Sequence, residues 1–185
     1  MRRYLRTALL AATMNLLAGQ TMAAEIGKYS ANWEIRLGGG AFDVGPFSRQ
    51  VFSGGIINAE MLAPSPGFLA GLGSPRPYLG TDISLSNQAI HTFYTGLNWE
   101  AHLTDRFYAG FSLGGSVNTS KTTTQPGGAT KRLGSQVLFH LQASAGYDLT
   151  DSITAQVFLN HFSNANLGSS NHGLESVGAR IGYRF

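Results

Sequence analysis

The feature that most constrains this sequence is an alternation of apolar and polar residues with a period of two. It is clearest in residues 153–163, where Ile153, Ala155, Val157 and Leu159 are separated by polar or mixed positions. Residues two apart share one face of an extended chain, so this pattern predicts a half-buried β-strand. Comparable stretches predict eight strands, roughly at residues 30–41, 50–62, 76–86, 90–101, 106–118, 133–149, 152–164 and 173–185.

Two architectures can bury one apolar face of such strands, a soluble sandwich or barrel and a membrane barrel. The polar faces carry four acidic and four basic residues, which are Glu34, Arg36, Glu60, Asp82, Glu100, Arg106, Arg180 and Arg184. In a small membrane barrel these charges would pair in the lumen, and the final Phe185 inside an alternating stretch is typical of that class. We therefore expect an all-β fold, an eight-stranded antiparallel transmembrane β-barrel that crosses the bacterial outer membrane many times, with the soluble sandwich as the alternative.

The first 24 residues have the pattern of a cleaved secretory signal peptide. Arg2, Arg3 and Arg6 precede an apolar stretch at residues 8–18 that is too short to span a bilayer, and small residues follow at 21–24. The barrel is then expected at residues 25–185. Three of the thirteen Lys and Arg lie in this segment, which leaves ten against ten Asp and Glu, so the mature charge gives no case for nucleic-acid binding. The absence of cysteine excludes disulfides.

Polar side chains interrupt the apolar face at the end of the seventh predicted strand. His161 and Ser163 lie two apart and continue the face of Leu159, while Glu175 shares the face of Val177 in the next alternating stretch. A hairpin would set Glu175 beside the other two. A hydroxyl, an imidazole and a carboxylate on one face provide the nucleophile, base and orienting acid of a serine hydrolase.

The lengths of the connections predict the orientation of the barrel. With both termini in the periplasm, the short turns at 103–105 and 149–151 fall on the periplasmic side, and 119–132 becomes an outer loop. Residues 63–75 are long for a periplasmic turn. The seventh strand then ends outward, so His161 and Ser163 would lie near the extracellular side and face lipid.

The sequence around these residues resembles the PagL-type lipid A 3-O-deacylases. Seven positions carry the resemblance, namely His161, Phe162, Ser163, Asn164, Asn171, Gly173 and Glu175. It implies Ser163 as nucleophile, His161 as general base and Glu175 as its orienting partner. Asn164 is implied to help form the oxyanion site, with Asn171 in support. It also implies lipid A of lipopolysaccharide as substrate among outer-membrane lipids, with no metal or other cofactor required. A homodimer is left open.

Two other functions and several other histidines have to be weighed against this hypothesis. The chain could be a non-enzymatic barrel with a structural or adhesive role, in which the three residues are only headgroup-level polar groups, or a lipid A acyltransferase. His172 is a rival base, although its loop position indicates a solvated side chain. His140 is expected to be a hydrogen-bonded lumen residue.

Overall fold

The computed structural model describes residues 24–86, 90–124 and 127–185. The predicted signal peptide lies, except for Ala24, outside these residues. The described part forms eleven strands and one 3-10 helix, at Gly67–Leu72. The strands are β1 Glu25–Ile26, β2 Glu34–Phe42, β3 Gly55–Leu62, β4 Arg76–Ser84, β5 Thr92–His102, β6 Phe107–Asn118, β7 Thr122–Thr124, β8 Thr130–Arg132, β9 Val137–Asp148, β10 Ile153–Ser163 and β11 Leu174–Arg184.

Eight of these strands close into an antiparallel barrel. Each long strand pairs with the next along the chain, β6 pairs with β9 across the small β7–β8 hairpin, and β11 pairs with β2 to close the ring. β1 adds two residues beside the end of β5. Closure leaves no unpaired sheet edge, which is the arrangement a membrane-spanning sheet requires. The eight-stranded barrel predicted from the alternation is confirmed.

Most strands begin later than predicted, and for two of them the reason is identifiable. The predicted second strand started at residue 50, but Val51 and Phe52 donate their backbone N–H groups to the carboxylate of Asp43 and thereby belong to a loop. The predicted sixth strand started at residue 133, but the Leu133 N–H donates to the Lys121 carbonyl and extends the β7–β8 hairpin instead. The long connection at 63–75 is occupied by the 3-10 helix.

The inner face of the barrel is polar and ionic towards the end that carries the short turns. Arg36 contacts Glu34, Glu60 and Glu100, all with side chains no more than 5% exposed. The predicted set of lumen charges needs one correction, because Arg106 lies exposed in the turn before β6. Arg76 and Asp148, which were not predicted, are buried in the network. Apolar side chains such as Leu37, Val157 and Ile181 are exposed on the outer face.

Towards the other end, which carries the long loops, the interior is apolar and aromatic. The buried cluster includes Phe42, Phe52, Tyr94, Leu133 and Phe162. Phe162 is 1% exposed and stacks on His140, with ring centroids 4.8 Å apart. Since Phe162 sits between His161 and Ser163 in β10, this contact fixes the strand end and turns its two neighbours to the outer face. His140 is fully buried in the lumen, as predicted.

Candidate active site

His161 and Glu175 are direct cross-strand partners in the β10–β11 hairpin. His161 Nδ1 lies 2.9 Å from Glu175 Oε1, with the imidazole 19% exposed and the carboxylate fully buried. An ionised carboxylate only accepts hydrogen bonds, so Nδ1 must carry the proton in this contact. In the neutral imidazole Nε2 then keeps its lone pair, which is the tautomer a general base needs.

The loop between β2 and β3 holds the Glu175 carboxylate from the other side. The backbone N–H groups of Phe47 and Ser48 each donate to Glu175 Oε2 at 3.0 Å. Gly45 lies so close that a Cβ there would be 2.2 Å from the same oxygen. Two amides and one imidazole therefore fix the carboxylate, and the loop can approach it only because residue 45 has no side chain.

Ser163 shares the outer face with His161 but is not hydrogen-bonded to it. Within the described residues no contact joins the Ser163 hydroxyl to the imidazole, and the half-buried Ser163 pairs across the sheet with Phe139 of β9. Residues two apart in a strand are about 6.5–7 Å apart at Cα. The His161–Glu175 pair is thus in place, whereas the predicted contact between Ser163 and His161 is not made. Such contacts are often long before substrate binds.

Asn164 and Asn171 brace the loop that follows Ser163. Asn164 Nδ2 donates to the carbonyls of Leu133 at 2.9 Å and Ser170 at 2.7 Å, and its backbone N–H donates to Asn171 Oδ1 at 3.1 Å. Both amide hydrogens of the Asn164 side chain are therefore engaged in holding loops together. The oxyanion role expected for Asn164 stays a prediction, and it would require one of these hydrogen bonds to be exchanged.

Two mainly apolar grooves lie beside the site, both over β6 and β9. One, of about 370 Å³, is lined by His161 together with Phe47, Phe111, Leu141, Ala143 and Leu159. The other, of about 670 Å³, runs past Phe139, Asn164 and Leu167 over a floor that includes Gly114 and Gly115. A bound ester with a hydrocarbon chain would find apolar surface beside His161 and beside the loop that follows Ser163.

His172, in the loop between β10 and β11, is held by hydrogen bonds to two other loops rather than freely solvated. The Arg132 backbone N–H donates to His172 Nδ1 at 3.2 Å, and the His172 carbonyl accepts the N–H of Arg49 at 3.0 Å. These contacts differ from the expectation of a solvated side chain and leave His172 outside the His161–Glu175 pair.

The β2–β3 loop is the part of the site that sequence reasoning missed. Phe47 is 74% exposed and meets the His161 ring edge-on, with centroids 5.9 Å apart. Its other contribution, the backbone amide on Glu175, does not depend on residue type and leaves no trace in the sequence. The only available signal was Gly45-Pro46, which indicates a turn.

The fold and the site define a class of protein, the small outer-membrane-type β-barrel with a polar Ser, His and Glu group at its outer rim. The family model of PagL, lipid A 3-O-deacylase, matches residues 68–184, so the chain belongs to this family. No curated protein matches the sequence significantly. Among the described residues there is no helix with the length and hydropathy needed to cross a bilayer.

Solved structures share the fold at low sequence identity. The crystal structure of the outer membrane enzyme PagL matches with a TM-score of 0.55 and 15% identity, over 83% of this chain and 99% of that one. Neisserial surface protein A matches with a TM-score of 0.51 and 11% identity, over 84% and 97% of the two chains.

Proposed function

We propose that this protein is an outer-membrane lipid A 3-O-deacylase that hydrolyses its ester through Ser163, His161 and Glu175. The observation that carries the proposal is the hydrogen-bonded His161–Glu175 pair on the outer face, two residues from a half-buried serine. The His161–Glu175 pair lies outside the ion-pair network of the lumen, in which Glu60 contacts Arg36 and Arg180. Family membership supports the same chemistry.

In the proposed reaction His161 Nε2 takes the proton of Ser163 as its oxygen attacks the ester carbonyl of the 3-linked acyl chain. The carbonyl π-bond pair moves to oxygen, and the resulting tetrahedral intermediate expels the sugar 3-oxygen, which receives the proton from His161. Water then hydrolyses the acyl-serine by the same steps and releases the 3-hydroxy fatty acid. Glu175 keeps the imidazole in the required tautomer and stabilises the imidazolium.

The oxyanion formed in each step needs hydrogen-bond donors near Ser163. The amides of Ala165 and Asn166 follow the serine closely and have no partner in the part of the chain that the structure describes. Both residues have left-handed backbones, with φ of 51° and 63°. We propose that these two amides supply donors, while Asn164 and Asn171 hold the loop in this conformation or release one amide hydrogen to assist.

Mass spectrometry of lipid A, from cells with and without the protein, tests the proposal. Loss of one 3-hydroxyacyl chain supports deacylation, a gained acyl chain would instead indicate an acyltransferase, and an unchanged mass would indicate a non-enzymatic barrel. Ser163→Ala should fold normally and lose roughly 10³-fold or more of the activity, because members of a triad act as a unit. Ser152→Ala, at an exposed serine in a short turn at the opposite end of the barrel, is the matched control. Near-normal release by folded Ser163→Ala would exclude Ser163 as nucleophile.

A further inference from the structure

Three loops at the outer end of the barrel are joined by backbone hydrogen bonds around His172. The Arg49 N–H donates to the His172 carbonyl, and the His172 N–H donates to the Arg132 carbonyl, both at 3.0 Å. The β2–β3 loop, the β7–β8 hairpin and the β10–β11 loop therefore bring Arg49, Arg132 and His172 together. We call these three residues the rim cluster.

The charge that the rim cluster presents to solvent is positive. Arg49 and Arg132 are exposed. Nearby Lys131 is buried, with its ammonium on the Asp43 carboxylate and the Arg49 carbonyl. The two carboxylates of this region, Asp43 and Glu175, are no more than 1% exposed and are already hydrogen-bonded. No buried carboxylate is left to neutralise the two arginines.

The exposed carboxylates lie at the opposite end of the molecule. Of the ten Asp and Glu, all within the described ranges, only Glu25, Asp105 and Asp151 are exposed. Glu25 pairs in register with His102, and Asp105 and Asp151 lie in the short turns, so all three sit at the short-turn end. The long-loop end thus combines exposed arginines with no exposed carboxylate in the described chain.

The pKa of His172 is shifted by burial and by the same positive charges. Its pKa is lowered by burial first and then by the positive charges of Arg49, Lys131 and Arg132. Because His172 Nδ1 already accepts the Arg132 N–H, the neutral imidazole carries its proton on Nε2 and can donate it to an anion. Arginine forks match the oxygens of a phosphoryl group, and they do so bidentately.

The rim cluster also lies at a suitable distance from the proposed site. His172 is three residues before Glu175 and two before Leu174, the first residue of β11, which pairs with Phe162 of β10. At about 3.3 Å per residue, the Cα of His172 is at most roughly 10 Å from that of Glu175, on the side away from the membrane centre. A glycolipid whose ester lies at Ser163 would place its phosphorylated sugar headgroup in this direction.

We propose that Arg49, Arg132 and His172 form a binding site for a phosphoryl group on the headgroup of the lipid substrate, and that this contact sets the ester over Ser163. This inference rests on the proposed deacylase function for the identity of the lipid. The site itself requires only an anionic, phosphorylated headgroup at the membrane surface.

The first experiment measures binding without turnover. Ser163→Ala protein in detergent is titrated with mixed micelles of the same detergent that contain phosphorylated lipid A or chemically dephosphorylated lipid A. The phosphorylated lipid should bind more tightly, and Arg49→Gln with Arg132→Gln should reduce that preference roughly tenfold, the size expected for two exposed charge-assisted contacts. Arg106→Gln, an exposed arginine at the short-turn end, should change nothing. Equal binding of both lipids, or an unaltered preference in the double variant, would overturn the proposal.

A parallel titration distinguishes a lipid headgroup from a free anion. Inorganic phosphate alone should bind the Ser163→Ala protein far more weakly than the phosphorylated lipid. An affinity as high as that for the lipid would overturn the assignment to a headgroup. The lipid should also raise the pKa of His172, measured by NMR, because an anion offsets the neighbouring positive charges. An unchanged pKa on saturation with the phosphorylated lipid would contradict a direct contact.

Kinetics of the otherwise native protein separate this proposal from the deacylase proposal. The Arg49→Gln, Arg132→Gln variant should raise KM for phosphorylated lipid A roughly tenfold with little change in kcat, since a headgroup contact binds ground state and transition state alike. Arg49→Lys with Arg132→Lys keeps the charge and should recover part of the affinity. Absence of hydrolysis by the native protein would refute the deacylase function, while the binding preference of Ser163→Ala would still test the rim cluster.

Discussion

Glu60 in the lumen and Glu175 at the outer rim are both buried carboxylates, but their partners differ. Glu60 accepts Arg180 at 2.8 Å and Arg36 at 3.4 Å, so cations neutralise its charge permanently. Glu175 accepts two backbone amides, and His161 is the one cationic or titratable side chain that contacts it in the described structure. Its negative charge is therefore fully balanced only when the imidazole becomes protonated, which is the event that general base catalysis requires.

The same contrast applies to the two surfaces as a whole. The lumen groups are nearly inaccessible and joined in a network, in which removal of one partner leaves another charge unpaired. The His161–Glu175 pair is a single cross-strand contact, borders an apolar groove at His161, and leaves the imidazole partly open. Substitutions in the lumen network should consequently affect mainly stability. Substitutions at or around the His161–Glu175 pair should affect mainly activity.

The largest expected difference is between Glu175→Gln and Glu60→Gln. Glu175→Gln preserves the shape but removes the charge, and in soluble triads a similar change costs roughly 10⁴-fold in turnover. The loss should be smaller than for His161→Ala, because the base itself moves the proton. Glu60→Gln should retain activity per folded molecule and lower the free energy of unfolding by about 3 kcal/mol, since two arginines lose a counter-charge.

Both variants are compared by release of 3-hydroxy acid from lipid A in detergent and by unfolding in urea, with heat-modifiable gel mobility as the check for a folded barrel. Full activity in folded Glu175→Gln would remove Glu175 from the site. A large loss of activity per folded molecule in Glu60→Gln would show that the lumen takes part in the chemistry.

The sequence predicts contacts between neighbouring strands better than it predicts contacts between the loops. Alternation reports side chains, so it identified Glu34 and Arg36 as inward-facing and Val157 as outward-facing. It failed at Arg106, which has the parity of the inner face but lies just outside the strand. The pairing of His161 with Glu175 follows from the hairpin register. The period of the alternation and the spacing of the residues therefore predict which side chains meet on adjacent strands.

Contacts between loops distant in sequence were not predictable in this way. Residues 43–54, 130–134 and 164–173 meet through backbone groups and through the buried Lys131–Asp43 pair. A backbone donor is the same at every non-proline position, so the amides that hold Glu175 carry no sequence signature. Gly45 and Phe47 lie in the β2–β3 loop, whose contact with Glu175 was not predicted. The two predictions of smaller effects test whether this loop contributes to activity through Glu175.

Gly45→Ala should have an intermediate effect on activity. The added methyl group would lie 2.2 Å from Glu175 Oε2, so either the carboxylate or the loop must move. Displacement of a catalytic group by about 1 Å can cost roughly 10²-fold, and we expect a loss of that order or less. Gly71→Ala is the matched control, because a Cβ there meets nothing within 4 Å.

A double variant shows whether Gly45 acts through Glu175. If it does, adding Gly45→Ala to Glu175→Gln should reduce activity by much less than the product of the two single losses. Independent, multiplicative losses would indicate that the loop supports the barrel or the substrate in some other way. Urea unfolding of the single variant checks that its loss is not one of folding.

The smallest expected effect is that of Phe47→Ala. The Phe47 ring is 74% exposed, meets His161 edge-on and lines the smaller groove, whereas its backbone amide, which binds Glu175, survives the substitution. Loss of an edge-on aromatic contact corresponds to about 1 kcal/mol, so activity should fall only several-fold. Phe68→Ala, at an 84% exposed phenylalanine of the 3-10 helix, is the control and should have no effect.

The distribution of this small loss between kcat and KM identifies what the ring does. If Phe47 shields the imidazole from water, kcat should fall while KM is unchanged, because the contact matters when charge develops on His161. If the ring chiefly contacts the acyl chain, KM should rise with kcat retained. A loss larger than that of Gly45→Ala would contradict this prediction, because it would mean that the exposed ring matters more to activity than the position of the Glu175 carboxylate.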